Sequence, residues 1–318
     1  MTKLVLAALA AAASLTSAQA AQVFDERVTL SQLSANLIDL NTTDGVTPSL
    51  SPALDVYGNP ASVSLQANTN FMAYTAQTVF TSYDAVTVNG NPLDASTGQA
   101  MVRAGQNTAD KTAQGLSVHV AGDEATVSSL MTSIGYYRGN PLGSNSNAEA
   151  SGVSRWLLSA GTSLEITGQV NWHNLLDARS LTSLNFANVG TLVLTGKNQV
   201  ALSLAVAGGL TVPSDAYANG TPATYNLSQS FSQRVNQSGS SVTLPDEGNG
   251  SATFSLFLRN SGSTALTVEL GLRTSSTLGL MPTTQPVPEP GTWALMGMGL
   301  AGIAFTASRR RQGRCGQV

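Results

Sequence analysis

Residues 163–173 read SLEITGQVNWH. Leu164, Ile166, Val170 and Trp172 fall on one side of a two-residue repeat, and Ser163, Glu165, Thr167, Gln169, Asn171 and His173 on the other. A strand sends successive side chains to opposite faces, so this alternation describes a strand with one buried and one wetted face. Three more stretches repeat it. Val200, Leu202, Leu204 and Val206 alternate with small or polar residues over 199–207, as do Ala252, Phe254, Leu256 and Leu258 over 251–259, and Leu266, Val268, Leu270 and Leu272 over 265–273. The last two are separated by Asn-Ser-Gly-Ser-Thr (260–264), which predicts a hairpin. Shorter candidates are 62–67, 71–80, 85–88, 116–120, 184–186, 191–195 and 225–231, and Asn89-Gly90 predicts a hairpin-type turn. Helix is scarce. Residues 124–134 carry Val127, Leu130, Met131 and Ile134 at helical spacing behind Asp123 as a cap, and 148–158 are a weaker candidate. Pro48, Pro52 and Pro60 mark an irregular link, residues 138–147 a polar loop, and 274–286 (TSSTLGLMPTTQP) a flexible stalk. The fold class is mainly β: an antiparallel β-sandwich over 21–273, with a jelly roll as one variant.

Composition narrows the function. Charged residues are 10% of the 318, against about 25% in an ordinary domain. With Lys and Arg at 15, no basic face for nucleic acid can be built. One Cys excludes an intramolecular disulfide framework and a Cys-rich zinc site. A hydrophobic content of 42% argues against full disorder. Leaving out Lys3, Glu289 and the four tail arginines from the 15 basic and 18 acidic residues gives the body ten and 17, a mild net charge of −7.

The two ends carry addresses. Lys3 precedes an uncharged apolar run, residues 4–15 (LVLAALAAAASL), and Ala18-Gln19-Ala20 then offers small residues at the positions a signal peptidase admits. This predicts a secretory signal peptide, 1–20, cleaved after Ala20. The apolar run is too short to span a bilayer. At the other end come Val287, Pro288, Glu289 and Pro290, then Trp293, an apolar run over 294–307 and Arg309, Arg310 and Arg311. The two prolines keep their segment extended, and a helix can begin behind Pro290. Residues 291–308 as helix reach about 27 Å, close to the roughly 30 Å hydrocarbon core. Trp293 fits one interface, and the arginines anchor the other end on the cytoplasmic side. The unit 287–318 thus reads as a motif, a transmembrane helix and an Arg-rich tail. Cys315 lies beyond the arginines and would leave with the tail.

Val287-Pro288-Glu289-Pro290, an apolar helix and an arginine cluster, in that order at the C-terminus, resemble the PEP-CTERM sorting signal. The resemblance covers 287–311 only. It implies export through the inner membrane and processing by exosortase, a membrane-embedded transpeptidase-like cysteine protease. It further implies transient anchoring by the tail helix and a destination at the cell envelope, cell surface or outside the cell. Relatives in this sense are associated with exopolysaccharide and biofilm.

The body offers little chemistry. His119 and His173 both fall on the polar side of their strands, and no nucleophile-elbow motif accompanies them. Two His residues fall short of a zinc site, and no cofactor or metal is expected. Asp246-Glu247-Gly248-Asn249-Gly250 is oxygen-rich but lacks EF-hand spacing and reads as a solvated acidic turn. Trp156, Tyr136 and Tyr137 could form a sugar-stacking platform; as a core group they need no ligand. The reading is a non-enzymatic surface or matrix protein whose processing partners are signal peptidase and exosortase. A carbohydrate-binding module for exopolysaccharide and a secreted hydrolase are the alternatives. The module requires exposed aromatics on one face or loop end, and the hydrolase a cleft with convergent His or carboxylates.

Overall fold

The computed structural model describes residues 22–55, 57–72, 78–102, 106–132, 136–137, 140–141, 144–183, 191–208, 210–236 and 246–283. The chain forms two units, Met1–Thr283 and Thr284–Val318, and all described residues belong to the first. The strands in chain order begin with β1 (Gln22–Asp39), β2 (Leu50–Ala53), β3 (Ser62–Met72), β4 (Thr78–Asn89), β5 (Gly98–Val102), β6 (Asn107–Thr112) and β7 (Gly115–Asp123). Helix α1 (Glu124–Thr132) follows, then the short pair β8 (Tyr136–Tyr137) and β9 (Asn140–Pro141). The chain continues through β10 (Ser144–Leu158), β11 (Thr162–Leu176), a 3-10 turn at Ala178–Ser183, β12 (Thr191–Val206), β13 (Ala223–Asn236), β14 (Asp246–Asn260) and β15 (Leu266–Thr283).

Two antiparallel sheets hold the body. The first runs β14-β11-β1-β7-β6-β5 and the second β13-β12-β15-β10-β3-β4, with β2 added beside β10. One hydrophobic core receives side chains from both: Val28, Leu30, Leu164, Ile166 and Leu256 from the first, and Leu65, Trp156, Leu202, Val268 and Leu270 from the second. The alternation in 163–173 is realised from Leu164 to Val170, whereas Ser163, expected on the wetted face, is buried with its hydroxyl donating to Leu258 O (3.2 Å), and Trp172 is only partly buried. Leu164, Ile166 and Val170 are buried and pair with Leu258, Leu256 and Ala252 of β14. Each fully buried aliphatic side chain contributes about 1.5–3 kcal/mol. Gly168 sits opposite Phe254, whose ring fills the place where a Cβ would stand, 2.7 Å away.

Four expectations are corrected. β14 and β15 are not a hairpin: they lie in different sheets, and residues 261–265 arch between them. Asn260 holds the arch, its Nδ2 donating to the carbonyls of Leu158 (3.2 Å), Ser159 (2.9 Å) and Thr264 (2.9 Å). Asn89-Gly90 turns with φ 123° at Gly90, but the chain then crosses from β4 to β5 in the other sheet. Residues 148–158 are strand, not helix: Ala148, Ala150, Ser154, Trp156 and Leu158 point inward with period two. Nor are residues 274–283 a stalk. β15 continues through them between β10 and β12, with Thr274, Ser276, Leu278 and Leu280 buried. Ser and Thr serve there because their hydroxyls find partners inside: Thr274 Oγ1 donates to Ala150 O (3.4 Å), and Ser276 Oγ to Asn198 Oδ1.

Polar side chains also pin the interior. Asn198 of β12, 0% exposed, donates from Nδ2 to Arg27 O (3.1 Å), His173 O (3.1 Å) and Asn174 Oδ1 (2.8 Å), and so links the second sheet to β1 and β11 of the first. Glu26 is likewise buried, and Gly196 makes room for it: a Cβ there would stand 2.2 Å from Oε1. Lys111 folds under the 90–96 loop, its Nζ donating to Ser96 O (2.7 Å), Asp94 O (3.1 Å) and Asp94 Oδ1 (3.1 Å).

Candidate functional site

The outward face of the first sheet carries one chemically distinctive row. Cross-strand register aligns Met101, Thr108, His119, Arg27, His173 and Asn249 across its six strands. Asp25, one outward position along β1, is the centre of this group. His119 Nε2 is 2.8 Å from Asp25 Oδ1, His173 Nε2 3.8 Å from Oδ2, and Arg27 Nη2 3.8 Å from Oδ2. His173 Nδ1 donates to Asn249 Oδ1, which fixes its ring. Burial pushes the Asp25 carboxyl up. The His119 hydrogen bond and the charges of His119, Arg27 and His173 outweigh this and hold it below its ordinary value.

Both imidazoles therefore face outward as read from the sequence, and the fold brings them to one carboxylate. Among the described residues no hydroxyl or thiol donates to either ring; the neighbouring Thr29 and Ser117 hydroxyls bond each other at 3.1 Å. No group of three His, Cys, Asp or Glu among the described residues is arranged to hold a metal ion. The cluster ties β7, β1, β11 and β14 together. Asp25 escaped the sequence reading because β1 itself did. The one available signal was that Asp25, Arg27 and Thr29 alternate with Phe24, Val28 and Leu30, interrupted by the inward Glu26.

The oxygen-rich stretch 246–250 is not a turn but the first third of β14, with Asn249 paired to His173 and Gly250 to Trp172. Trp156 is 3% exposed and belongs to the core. The side chains of Tyr136 and Tyr137 lie outside the described residues.

The second sheet's outward face is shaped differently. A cleft of about 430 Å³ lies between the 53–62 segment and β10, lined by Asp55, Tyr57, Asn59, Val153 and Arg155 among others. Asp55 ties this loop: its carboxylate accepts the amides of Tyr57 (2.8 Å) and Asn59 (2.7 Å) and Asn59 Nδ2 (3.2 Å). These bonds, the Asn59 amide first, together with the Arg155 charge hold its carboxyl below the ordinary value and outweigh the opposing effect of desolvation. Tyr57 is left 85% exposed at the mouth. A second depression of about 550 Å³ shares Ser62 and Val153 with the first and extends over Ser151, Ser203, Gly271 and Arg273. A third, about 610 Å³, follows over Asn145, Thr195, Lys197, Thr277 and Gly279. The sequence signal for Tyr57 is the Asp-x-Tyr-x-Asn spacing of a side-chain-tied loop at residues 55–59, which composition and strand periodicity do not pick out.

The sorting determinants lie outside the described residues: Ala18 and Ala20 at one end, and Val287, Pro288, Glu289, Pro290, Trp293, Arg309, Arg310 and Arg311 at the other. The expected tail helix, 291–308, does too, and among the described residues no helix is long and apolar enough to cross a membrane. Residues 286–311 match the family model described as the PEP-CTERM protein-sorting motif. The tail is a PEP-CTERM sorting signal. The motif marks an exported protein addressed to exosortase and to the cell envelope or surface. It covers 286–311 and says nothing of the body. No curated protein matches the chain.

Proposed function

We propose that this is a non-enzymatic cell-surface or matrix protein, delivered by its PEP-CTERM signal and serving as a structural or biofilm-associated component outside the cell. The observation that carries the proposal is the sorting motif at 286–311 behind a mainly β body. In this reading signal peptidase cleaves after Ala20. Residues 291–308 hold the precursor in the membrane, Arg309 to Arg311 keep that end inside, and exosortase reads Pro288, Glu289 and Pro290. A binding-module version, for exopolysaccharide, is favoured by the Tyr57 cleft.

Glu289→Ala tests the route in a host with exosortase. Insertion, which rests on the apolar run and the arginines, continues, and full-length protein accumulates in the membrane fraction. Release equal to wild type contradicts the reading.

A further inference from the structure

We propose that the outward face of the second sheet is a trough for an extended chain of neutral sugars, entered at Tyr57 and running along β15. This rests on the surface-protein reading and gives it a ligand.

The trough has a cause in the sequence. β15 is a central strand, and its outward positions include Gly271 and Gly279. A Cβ at Gly271 would stand 2.8 Å from Ser203 Oγ, and one at Gly279 2.6 Å from Thr195 Oγ1. Both glycines line depressions, one the second and one the third. From Glu269 to Gly279 is about 33 Å of strand, long for a small molecule and suited to a polymer.

Its walls carry the chemistry of hydroxyl-rich rings. Tyr57 offers an exposed aromatic face on a tied loop, against which the C–H face of a sugar packs. Arg155 grips Glu269 through Nε (2.8 Å) and Nη2 (2.7 Å), and Arg273 Nη2 holds Glu149 at 2.9 Å. Each pair presents donors and an acceptor side by side, the pattern that vicinal hydroxyls match. The charges along the line, Asp55, Glu149 and Glu269 against Arg155, Arg273 and Lys197, cancel. A neutral chain is therefore favoured over a polyanion. The outward face of the first sheet carries the Asp25-centred charges, and its exposed aromatic, Phe257, stands on β14 itself rather than on a tied loop.

The test is affinity electrophoresis of the processed protein released by the cells, in native gels holding hydroxyethyl cellulose, galactomannan, dextran, alginate or the neutral polysaccharide fraction of the producing culture. At least one neutral polymer should retard the protein. Tyr57→Ala should weaken that retardation about tenfold, the loss of one aromatic contact. Gly271→Leu should abolish it, and Ser203→Trp, which fills the trough from the next strand, guards against a Gly271 variant that fails to fold. Thr253→Trp, on the outward face of the first sheet, should bind as wild type. Retardation by no neutral polymer, by alginate alone, or equally in Tyr57→Ala and Ser203→Trp variants whose melting is unchanged overturns the proposal. None of these outcomes bears on export, because the protein is assayed after release.

Discussion

Asn198→Ala removes the amide that joins the two sheets. Its Nδ2 serves Arg27 O, His173 O and Asn174 Oδ1, and its Oδ1 receives the Ser276 hydroxyl, all in a region closed to water. Two amide hydrogens are shared among three acceptors, so about three net hydrogen bonds are lost, at roughly 1 kcal/mol each. Ser276 and Asn174 then face an apolar methyl, which adds about 1 kcal/mol or more. The expected loss is about 3–5 kcal/mol, a large fraction of the 5–15 kcal/mol typical of a domain. At roughly 2–4 °C per kcal/mol for domains of this order, Tm falls by about 10 °C. Urea unfolding followed by circular dichroism measures it, with Asn226→Ala, an exposed amide on β13, as the control expected within about 0.5 kcal/mol of wild type. If the two variants unfold alike, the cross-sheet role assigned to Asn198 is wrong.

Three further outcomes are expected. Lys111→Met keeps the buried methylenes but strands the carbonyls of Asp94 and Ser96, and should cost about 3 kcal/mol, moderated because Asp94 is one-third exposed; an unchanged thermal melt contradicts this. Asp25 is held below its ordinary value of 3.8, so its contribution to stability is present above pH 3.8 and lost as pH falls through the lower folded value. Wild type should therefore lose more stability between pH 6 and pH 2 than Asp25→Asn, and equal losses in urea midpoints count against the cluster. A chain ending at residue 273 should fail to give the cooperative unfolding of one ending at 283, since it lacks ten residues of a central strand, Leu278 and Leu280 among them.

Much of the fold was legible where apolar and polar residues strictly alternate. β11, β12, β14 and the first half of β15 follow that rule, because large side chains face the core and small or polar ones face out. It failed where the interior is itself polar or small. β10 fills its inward positions with Ala148, Ala150 and Ser154, and β15 continues through Thr274 and Ser276. Composition cannot tell such hydroxyls from those of a solvated linker, because their partners, Ala150 O and Asn198 Oδ1, lie 124 and 78 residues away. The arch between β14 and β15 looks like a hairpin in the sequence for the same reason: a short turn-rich link fits either, and Asn260's bonds to Leu158 and Ser159 decide it. For the site, the outward direction of His119 and His173 was readable from local parity. Their convergence on Asp25 is a matter of register among three strands far apart in the chain.

The tail addresses the exported chain to exosortase. Intact mass spectrometry of the protein from matched strains with and without exosortase tests it most directly. With the enzyme, the released protein should begin at Ala21 and lack the residues beyond the Pro-Glu-Pro motif. Without it, a form beginning at Ala21 and retaining Trp293 through Arg311 should remain in the membrane. Identical masses and equal release from the two strains would rule out exosortase processing of this tail.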